Sequence, residues 1–174
     1  MLYYLITIKR TALKRADLIK EKIFDTEGIV RKRNQWRTMG KTIAFTNGVF
    51  DILHQGHLSS LSSAAAEADF LVVAINSDAS VKKLKGADRP LHADIDRAAV
   101  LACLVMVDAV VIFEEDTPLE LIKKILPDVM IKGGDYTVDQ IAGAREVIEN
   151  GGRIVINPIL EGYSTTGSIR KMKG

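Results

Sequence analysis

The chain has 174 residues, of which 47% are hydrophobic and 26% are charged, and its formal net charge at pH 7 is +2. This composition is typical of one globular domain with a substantial core. No apolar run approaches the roughly 20 residues that span a bilayer, and the single cysteine excludes an internal disulfide bond, so we expect a cytoplasmic protein that is not in a membrane.

Residues 1–40 form a separate basic segment, which contains 10 Lys or Arg and 4 Asp or Glu. Their pattern predicts amphipathic helices over residues 12–24 and 29–39, which together make a helical N-terminal extension. The apolar residues 1–8 precede the first basic residues, the reverse of the order in a secretory signal peptide. Because no nucleic-acid-binding motif accompanies the positive charge, we expect a solvated helical lead-in and no nucleic-acid partner.

From residue 41 to residue 174, strand-like and helix-like segments alternate. The strand candidates are short, nearly continuous apolar runs rich in Val and Ile, as is typical of strands buried on both faces of a parallel sheet. They are residues 42–47, 70–76, 109–113, 129–132 and 153–157, and the helix candidates between them are residues 58–68, 94–105, 118–126 and 141–150. The alternation predicts one doubly wound, Rossmann-like α/β domain, with a parallel five-stranded sheet and helices on both faces.

Polar residues follow several of the predicted strands. Asn47 ends the first strand, Asn76 ends the second, and Gly133 and Asp135 come after the fourth. In open parallel sheets, ligands bind beyond the carboxyl ends of the strands. We therefore expect the functional residues to gather along this edge of the sheet.

Two histidines three residues apart, His54 and His57, lie between the first strand and the helix that follows it. Gly48 and Gly56 flank this turn and allow the backbone to approach a phosphate closely, while the free amides at a helix start attract anions. The imidazoles are suited to donate hydrogen bonds to phosphate oxygens whose charge grows in a transition state. One histidine capping the helix while the other packs in the loop is the alternative, but the pair framed by glycines favours a nucleoside triphosphate site.

Phe50 and Asp51, within the same turn, have simpler interpretations. Phe50 is expected to pack beneath the loop, at the border of the nucleotide site. Asp51 fits either a magnesium ligand or a carboxylate that accepts backbone amides, and we favour the structural role. The acidic run at residues 114–116 is typical of a loop and helix start, so no metal site built from protein ligands is predicted.

A second cluster, Ser164, Thr165 and Thr166, precedes a short helix-like tail. A helix N-cap needs only one hydroxyl, which leaves the others for the β- and γ-phosphates of a nucleotide. Positive charge near the phosphates is expected from Lys85, which lies in a loop beside a glycine, and from Arg97.

The histidine pair in its glycine-bearing turn and the serine-threonine run resemble the nucleotidyltransferase superfamily of cytidylyltransferases and adenylyltransferases. The resemblance covers residues 41–173. Within the superfamily the chain is most similar to the D-glycero-β-D-manno-heptose 1-phosphate adenylyltransferases, a domain that many bacteria fuse to a sugar kinase, and we expect the stand-alone form. The segments that carry this similarity are Thr46-Asn47-Gly48, Asn76-Ser77-Asp78-Ala79-Ser80, Leu84-Lys85-Gly86, Arg89-Pro90, Glu114-Glu115-Asp116-Thr117-Pro118, Lys132-Gly133-Gly134-Asp135-Tyr136 and Gly162-Tyr163-Ser164-Thr165-Thr166.

The resemblance implies transfer of AMP from ATP to the sugar 1-phosphate, with Mg²⁺ carried by ATP, for lipopolysaccharide core synthesis. It implies catalytic roles for His54, His57 and Lys85, and it implies a homodimer, since relatives often form dimers. The residues expected to contact the nucleotide are Asn47, Gly48, Phe50, Gly56, Asn76, Arg97, Gly133, Asp135, Ser164, Thr165 and Thr166.

Two features depart from close relatives. Glycerol-3-phosphate cytidylyltransferases carry an arginine-threonine pair where residues 160–163 stand here, and Ser168 occupies a position that is usually aliphatic. The alternatives that stay open are a cytidylyltransferase or adenylyltransferase with another phosphorylated acceptor, and a non-catalytic nucleotide-binding protein. A dinucleotide-dependent oxidoreductase is disfavoured, because no Gly-x-Gly-x-x-Gly turn follows the first strand.

Overall fold

The computed structural model describes residues 18–134, 136–158 and 163. Its centre is a sheet of six parallel strands, in the order β1-β4-β3-β2-β5-β6. The strands are β1 (Ile23–Phe24), β2 (Ile43–Gly48), β3 (Phe70–Asn76), β4 (Ala109–Phe113), β5 (Val129–Gly133) and β6 (Arg153–Asn157). The five strands predicted from sequence are confirmed. Short runs of β-branched residues with both faces covered are what a parallel sheet requires.

The additional strand, β1, comes from the N-terminal segment, where residues 23 and 24 were predicted to be helical. It extends the sheet beside β4, with Ile23 opposite Val110 and Phe24 opposite Val111. The pairing satisfies backbone groups that would otherwise stand open along the edge of β4. The six-stranded sheet therefore replaces the five-stranded one predicted from sequence, and the N-terminal extension is not wholly helical.

Seven helices lie before and between the strands of the described chain. They are α1 (Leu18–Glu21), α2 (Thr26–Thr38), α3 (Gln55–Ala65), α4 (Asp78–Lys85), α5 (Asp94–Ala102), α6 (Leu119–Ile125) and α7 (Ala144–Glu149), with one 3-10 turn at Val138–Gln140. Helix α4 was not predicted, because its lysines were interpreted as a charged loop. Helix α7 begins later than predicted, because Gly143 has a left-handed φ of 86° directly before it.

Helices cover both faces of the sheet and bury a core on each. On one face, Ile122 of α6 and Val147 of α7 pack with Phe45 and Met130. On the other, Leu61 of α3 and Leu101 of α5 pack with Val73 and Ile131. The alternation of strand side chains between faces divides the residues in this way. No helix within the described ranges is both long and apolar enough to cross a membrane.

The N-terminal segment packs on the first of these faces through α2. Ile29 is fully buried, and Trp36 stacks on Phe70 with ring centroids 4.3 Å apart. Two of the basic residues have partners within the protein, since Arg33 donates to the carbonyl of Ile125 and Arg37 donates to the next carbonyl. These carbonyls end α6, where cations are favoured by the helix dipole. Two of the basic side chains in this segment therefore form hydrogen bonds within the fold.

Candidate active site at the carboxyl ends of the strands

His54 and His57 lie at the start of α3, directly after the loop that leaves β2. His54 is the N-cap residue, and its carbonyl accepts the amides of His57 at 2.9 Å and Leu58 at 3.2 Å. One helical turn places the two imidazoles on the same side, and their rings stack with centroids 3.8 Å apart. The amides of Gln55 and Gly56, in the first turn, belong to the groups that a helix start leaves for an anion.

The environment of His57 keeps its imidazole neutral at physiological pH. Burial and the neighbouring imidazole of His54 lower the pKa of His57 from 6.5 to about 4, against the opposing effect of the Ile52 carbonyl. A neutral imidazole donates through one ring nitrogen. The phenyl ring of Phe50 lies 5.2 Å from the His57 ring and forms part of its apolar surroundings.

Gly48 and Gly56 lie where the neighbouring side chains leave little room for a Cβ atom. A Cβ on Gly48 would stand 2.9 Å from the Phe50 ring, and a Cβ on Gly56 would stand 3.2 Å from both the His54 ring and Tyr163. Phe50 itself has a left-handed φ of 49°, an unusual conformation for a residue with a side chain. We call residues 49–53, which lead from β2 to His54, the histidine loop. Its sharp bend brings the backbone from β2 into α3.

Asp51 holds the histidine loop in place by accepting hydrogen bonds from residues 89–92. Its side chain is fully buried and accepts hydrogen bonds from Arg89 Nε at 2.6 Å, Leu91 N at 2.8 Å and His92 N at 3.1 Å. Burial raises the pKa of the Asp51 carboxyl, but these hydrogen bonds outweigh it and the net pKa is lowered. Both carboxylate oxygens are thus occupied by protein donors. This supports the structural interpretation of Asp51 over a magnesium ligand.

Arg97, expected near phosphate groups, is buried beneath the same loop. Its guanidinium donates to the carbonyls of His92 at 3.0 Å, Val49 at 2.7 Å and Asn76 at 2.8 Å. It also forms an ion pair of 2.8 Å with Asp78, while its own side chain is 1% exposed. Arg97 therefore ties the histidine loop to the end of β3 and to the start of α4, and four of its five N–H groups are directed at protein oxygens.

The other predicted residues at this edge surround a cavity of about 360 Å³, which we call the central cavity. Asn47, Gly48, Asn76 and Lys85 all line it, as predicted for residues at one rim of the sheet. The Nδ2 group of Asn76 donates to Ser80 Oγ at 3.0 Å, so this amide is held in place. The structure thus brings together side chains from three separate segments of the chain.

Lys132 also lines the central cavity, although it was not among the site residues predicted from the sequence. It lies in β5 beside Asn47 of β2, and its Nζ donates to Asn47 Oδ1 at 3.2 Å. Burial lowers the pKa of Lys132, and its ammonium lies 5.6 Å from the ring centroid of Tyr136. A lysine inside an otherwise apolar buried strand was the sequence signal for this residue.

Several predicted nucleotide contacts lie outside the described residues: Asp135, Ser164, Thr165 and Thr166. Their convergence with the histidines stays a prediction. Tyr163, directly before the hydroxyl run, is described, and its ring centroid is 6.1 Å from that of His54. Gly133 ends β5, where a Cβ would meet only Ser60 Oγ, at an ordinary 3.6 Å. Tyr163 therefore lies beside the histidine pair.

The amino-acid sequence is similar to curated bacterial proteins named bifunctional protein HldE. That of Mesorhizobium japonicum is 51% identical over 154 residues, which cover 88% of this chain and 31% of the relative. That of Acidiphilium cryptum is 47% identical over 173 residues, which cover 94% of this chain and 36% of the relative. The chain thus spans about a third of the length of these relatives.

Two solved structures share the architecture. A lipopolysaccharide core biosynthesis protein from Thermoplasma volcanium is 25% identical and superposes with a TM-score of 0.57, covering 72% of this chain and all of that chain. A pantoate-beta-alanine ligase from Francisella tularensis superposes with a TM-score of 0.58, covering 83% of this chain and 69% of that chain. At 15% identity, the second structure shows a common fold alone.

A family model supplies the classification. The model described as cytidylyltransferase-like matches residues 45–171, which contain the histidine pair, the central cavity and the serine-threonine run. The match covers more than half of the chain, and the HldE relatives point to the same family. The chain therefore belongs to the cytidylyltransferase-like family and is a nucleotidyltransferase.

Proposed function

We propose that this chain transfers AMP from ATP to D-glycero-β-D-manno-heptose 1-phosphate, giving ADP-heptose and pyrophosphate for lipopolysaccharide core synthesis. The observation that carries the proposal is the stacked histidine pair at the start of α3, in a chain about half identical to HldE proteins. The name of the Thermoplasma relative, a lipopolysaccharide core biosynthesis protein, supports the same pathway. The segments that resemble heptose 1-phosphate adenylyltransferases supply the identity of the acceptor.

The reaction needs no activated protein nucleophile. A phosphate monoester has its second pKa near 6, so the sugar phosphate is mostly a dianion at neutral pH. One of its oxygens attacks the α-phosphorus of ATP, the new P–O bond forms, and the bond from the α-phosphorus to the bridging oxygen breaks. Pyrophosphate leaves with that electron pair. The protein contributes alignment and charge stabilisation, as phosphoryl-transfer sites generally do.

His54 and His57 are suited to the stabilising role. Negative charge accumulates on the α-phosphate oxygens as the acceptor oxygen approaches, and aimed N–H donors in a site shielded from water stabilise such charge. Without nucleotide the pKa of His57 is lowered to about 4, and its ring already donates to the carbonyl of Ile52. The negative charge of a bound triphosphate raises this pKa, and a protonated imidazole donates through both ring nitrogens. The amides of Gln55 and Gly56 at the helix start add fixed donors of the same kind.

Magnesium enters this proposal with ATP, as a substrate complex. Imidazole, ammonium and amide groups dominate the described site, and these donors suit phosphate oxygens, whereas Mg²⁺ prefers oxygen ligands. The phosphate oxygens of ATP supply such ligands. The Mg²⁺ ion would neutralise part of the charge on the departing pyrophosphate.

The test is an assay of the full chain with Mg²⁺, heptose 1-phosphate and either ATP or CTP, followed by pyrophosphate release and identification of the nucleotide sugar. We expect ADP-heptose, with CTP a poor donor. The same assay with glycerol 3-phosphate and mannose 1-phosphate examines other acceptors. Faster turnover with CTP or with another acceptor would replace the proposal by a different transferase activity. Binding of ATP without turnover of any acceptor would indicate a nucleotide-binding protein without catalysis.

A further inference from the structure

Lys132 is a half-buried cation whose contacts among the described residues are with uncharged groups, the Asn47 amide and the Tyr136 ring. It extends from β5 on the same face of the sheet as Asn47, because Thr46 is opposite Ile131 and both residues come one position later. Its hydrogen bond among the described residues goes to the neutral amide oxygen of Asn47. No ion pair of the described residues includes Lys132.

A half-buried ammonium without a counter-charge is unfavourable. Moving a charge out of water costs free energy that a single neutral hydrogen bond does not restore. Burial lowers the pKa of Lys132 for this reason. An anion that enters beside the Nζ group removes the penalty, and a phosphate group is an anion that lysine binds well as a point charge.

The central cavity provides room for such an anion and for the molecule that carries it. Its volume of about 360 Å³ lies in the range of small-molecule sites. Lys85, the last residue of α4, lines the cavity as a second cation. Asp116, the carboxylate that lines the cavity, forms an exposed ion pair with Lys83 at 3.4 Å. Asn76, Thr117 and Tyr136 add polar groups of the kind that bind sugar hydroxyls.

We propose that the central cavity is the acceptor site, in which Lys132 and Lys85 bind the phosphate group of a sugar phosphate. This inference rests on the proposed function for the identity of the acceptor. It assigns the cavity lined by Asn47, Gly48 and Asn76, which the sequence analysis expected to contact the nucleotide, to the acceptor. Asn47 is the positioning residue, because its amide oxygen accepts a hydrogen bond from the Lys132 ammonium in the lining of the cavity. Thr117 and Tyr136 line the same cavity and are assigned to the sugar.

The placement is consistent with a direct displacement. Lys132 and Asn47 belong to the face of the sheet that α6 and α7 cover, since they continue the alternation of Met130 and Phe45. The helix that begins with the histidines covers the other face, where Leu61 packs. The acceptor phosphate and the triphosphate therefore approach the end of β2 from different sides, as an attacking group and a leaving group in line require.

The kinetic test compares Lys132→Ala with Lys82→Ala in the full chain, varying ATP and heptose 1-phosphate separately. Lys82 is an exposed lysine of α4 outside the cavity and serves as the matched control. Loss of a charged hydrogen bond to phosphate raises the KM for heptose 1-phosphate by about 10- to 100-fold in Lys132→Ala. The KM for ATP stays within about threefold, and Lys82→Ala behaves as wild type. A raised KM for ATP with an unchanged acceptor KM would assign Lys132 to the nucleotide and overturn the proposal.

A binding test separates this inference from the proposed function. The ¹³Cε signal of Lys132, assigned by comparison with Lys132→Arg, is followed by NMR while inorganic phosphate and then heptose 1-phosphate are added to wild-type protein. A saturable shift with both probes supports the acceptor site even if heptose 1-phosphate proves not to be a substrate. The absence of a shift with either probe would show that Lys132 already has its counter-charge within the protein, and the proposal would fail.

Discussion

Replacing Arg97 by methionine removes the guanidinium and keeps an unbranched apolar side chain of similar length. Three backbone carbonyls, those of His92, Val49 and Asn76, lose their donor, and Asp78 loses its ion pair. A buried polar group without its partner costs about 1–3 kcal/mol, and Asp78 is exposed enough for water to compensate in part. We therefore expect Arg97→Met to lower the free energy of unfolding by about 3–5 kcal/mol, the scale of a broken buried ion pair.

The same substitution is expected to lower kcat more than it changes the KM for ATP. Arg97 holds Val49 and Asn76 together, so its loss lets the histidine loop shift relative to β3. A displacement of about 1 Å at a reacting centre costs roughly 100-fold in rate. Arg97→Lys should recover little of either property, because one ammonium group does not reach four oxygens in the directions of a guanidinium fork.

Urea unfolding and steady-state kinetics measure these two effects. Arg145→Met is the control, since Arg145 is exposed and pairs with Glu149 across one turn of α7. Such surface pairs contribute about 0.3–0.5 kcal/mol. The reasoning would be refuted if Arg97→Met unfolded like wild type and raised only the KM for ATP, and if Arg97→Lys restored that KM. Arg97 would then contact phosphate, as the sequence alone suggested.

Three further outcomes test the histidine site. His57→Ala should lower kcat by at least about 100-fold, the scale of a lost transition-state donor. The control, His92→Ala, should leave kcat unchanged, because it removes an exposed side chain and keeps the backbone bonds to Asp51 and Arg97. If His57→Ala lowered kcat only a few-fold, the role of His57 would be structural. Because the pKa of His57 is lowered to about 4, the unfolded chain takes up a proton at this residue before the folded protein does as the pH falls below 6.5. The free energy of unfolding should therefore be unaffected by this group above pH 6.5 and lower by roughly 2–3 kcal/mol at pH 4.5. Urea unfolding across this range should show a steeper pH dependence for wild type than for His57→Ala. Incubation with radiolabelled ATP alone should leave no adenylyl group on the protein, because the acceptor attacks directly, and a trapped adduct would contradict this.

The sequence predicted those parts of the fold that local patterns determine. The five longer strands were found because Val and Ile runs bounded by turns have few other interpretations in a chain of alternating elements. The two-residue strand β1 was missed, since its existence depends on the open edge of β4 and not on its own composition. Helix α4 was missed because its start depends on Ser77, whose hydroxyl accepts the amide of Ser80, while its lysines resembled a solvated loop.

Some residues of the candidate site could likewise be placed from the sequence, and others could not. The positions of His54, Gly48 and Gly56 in a strand-to-helix turn were evident from spacing, and the structure places the two imidazoles in contact. Spacing does not show which cation faces solvent, ligand or backbone. Arg97 has backbone carbonyls as partners, and these come from three separate segments, so no side-chain pattern identified them. Lys132 became a candidate only when its strand neighbour proved to be a neutral amide.

The strand order explains why the histidine pair and Lys132 both lie next to β2. The chain moves from β2 to β3 and β4 on one side, and later places β5 and β6 on the other, so the direction of winding reverses at β2. A crevice opens at such a reversal, because the connections leave for opposite faces of the sheet. The histidines lie on one wall through α3, and the bond between Lys132 and Asn47 crosses from β5 to β2 on the other. The proposed reaction assigns the α-phosphate of ATP to the histidine wall and the acceptor phosphate to the Lys132 wall, so that the two groups would meet at the end of β2.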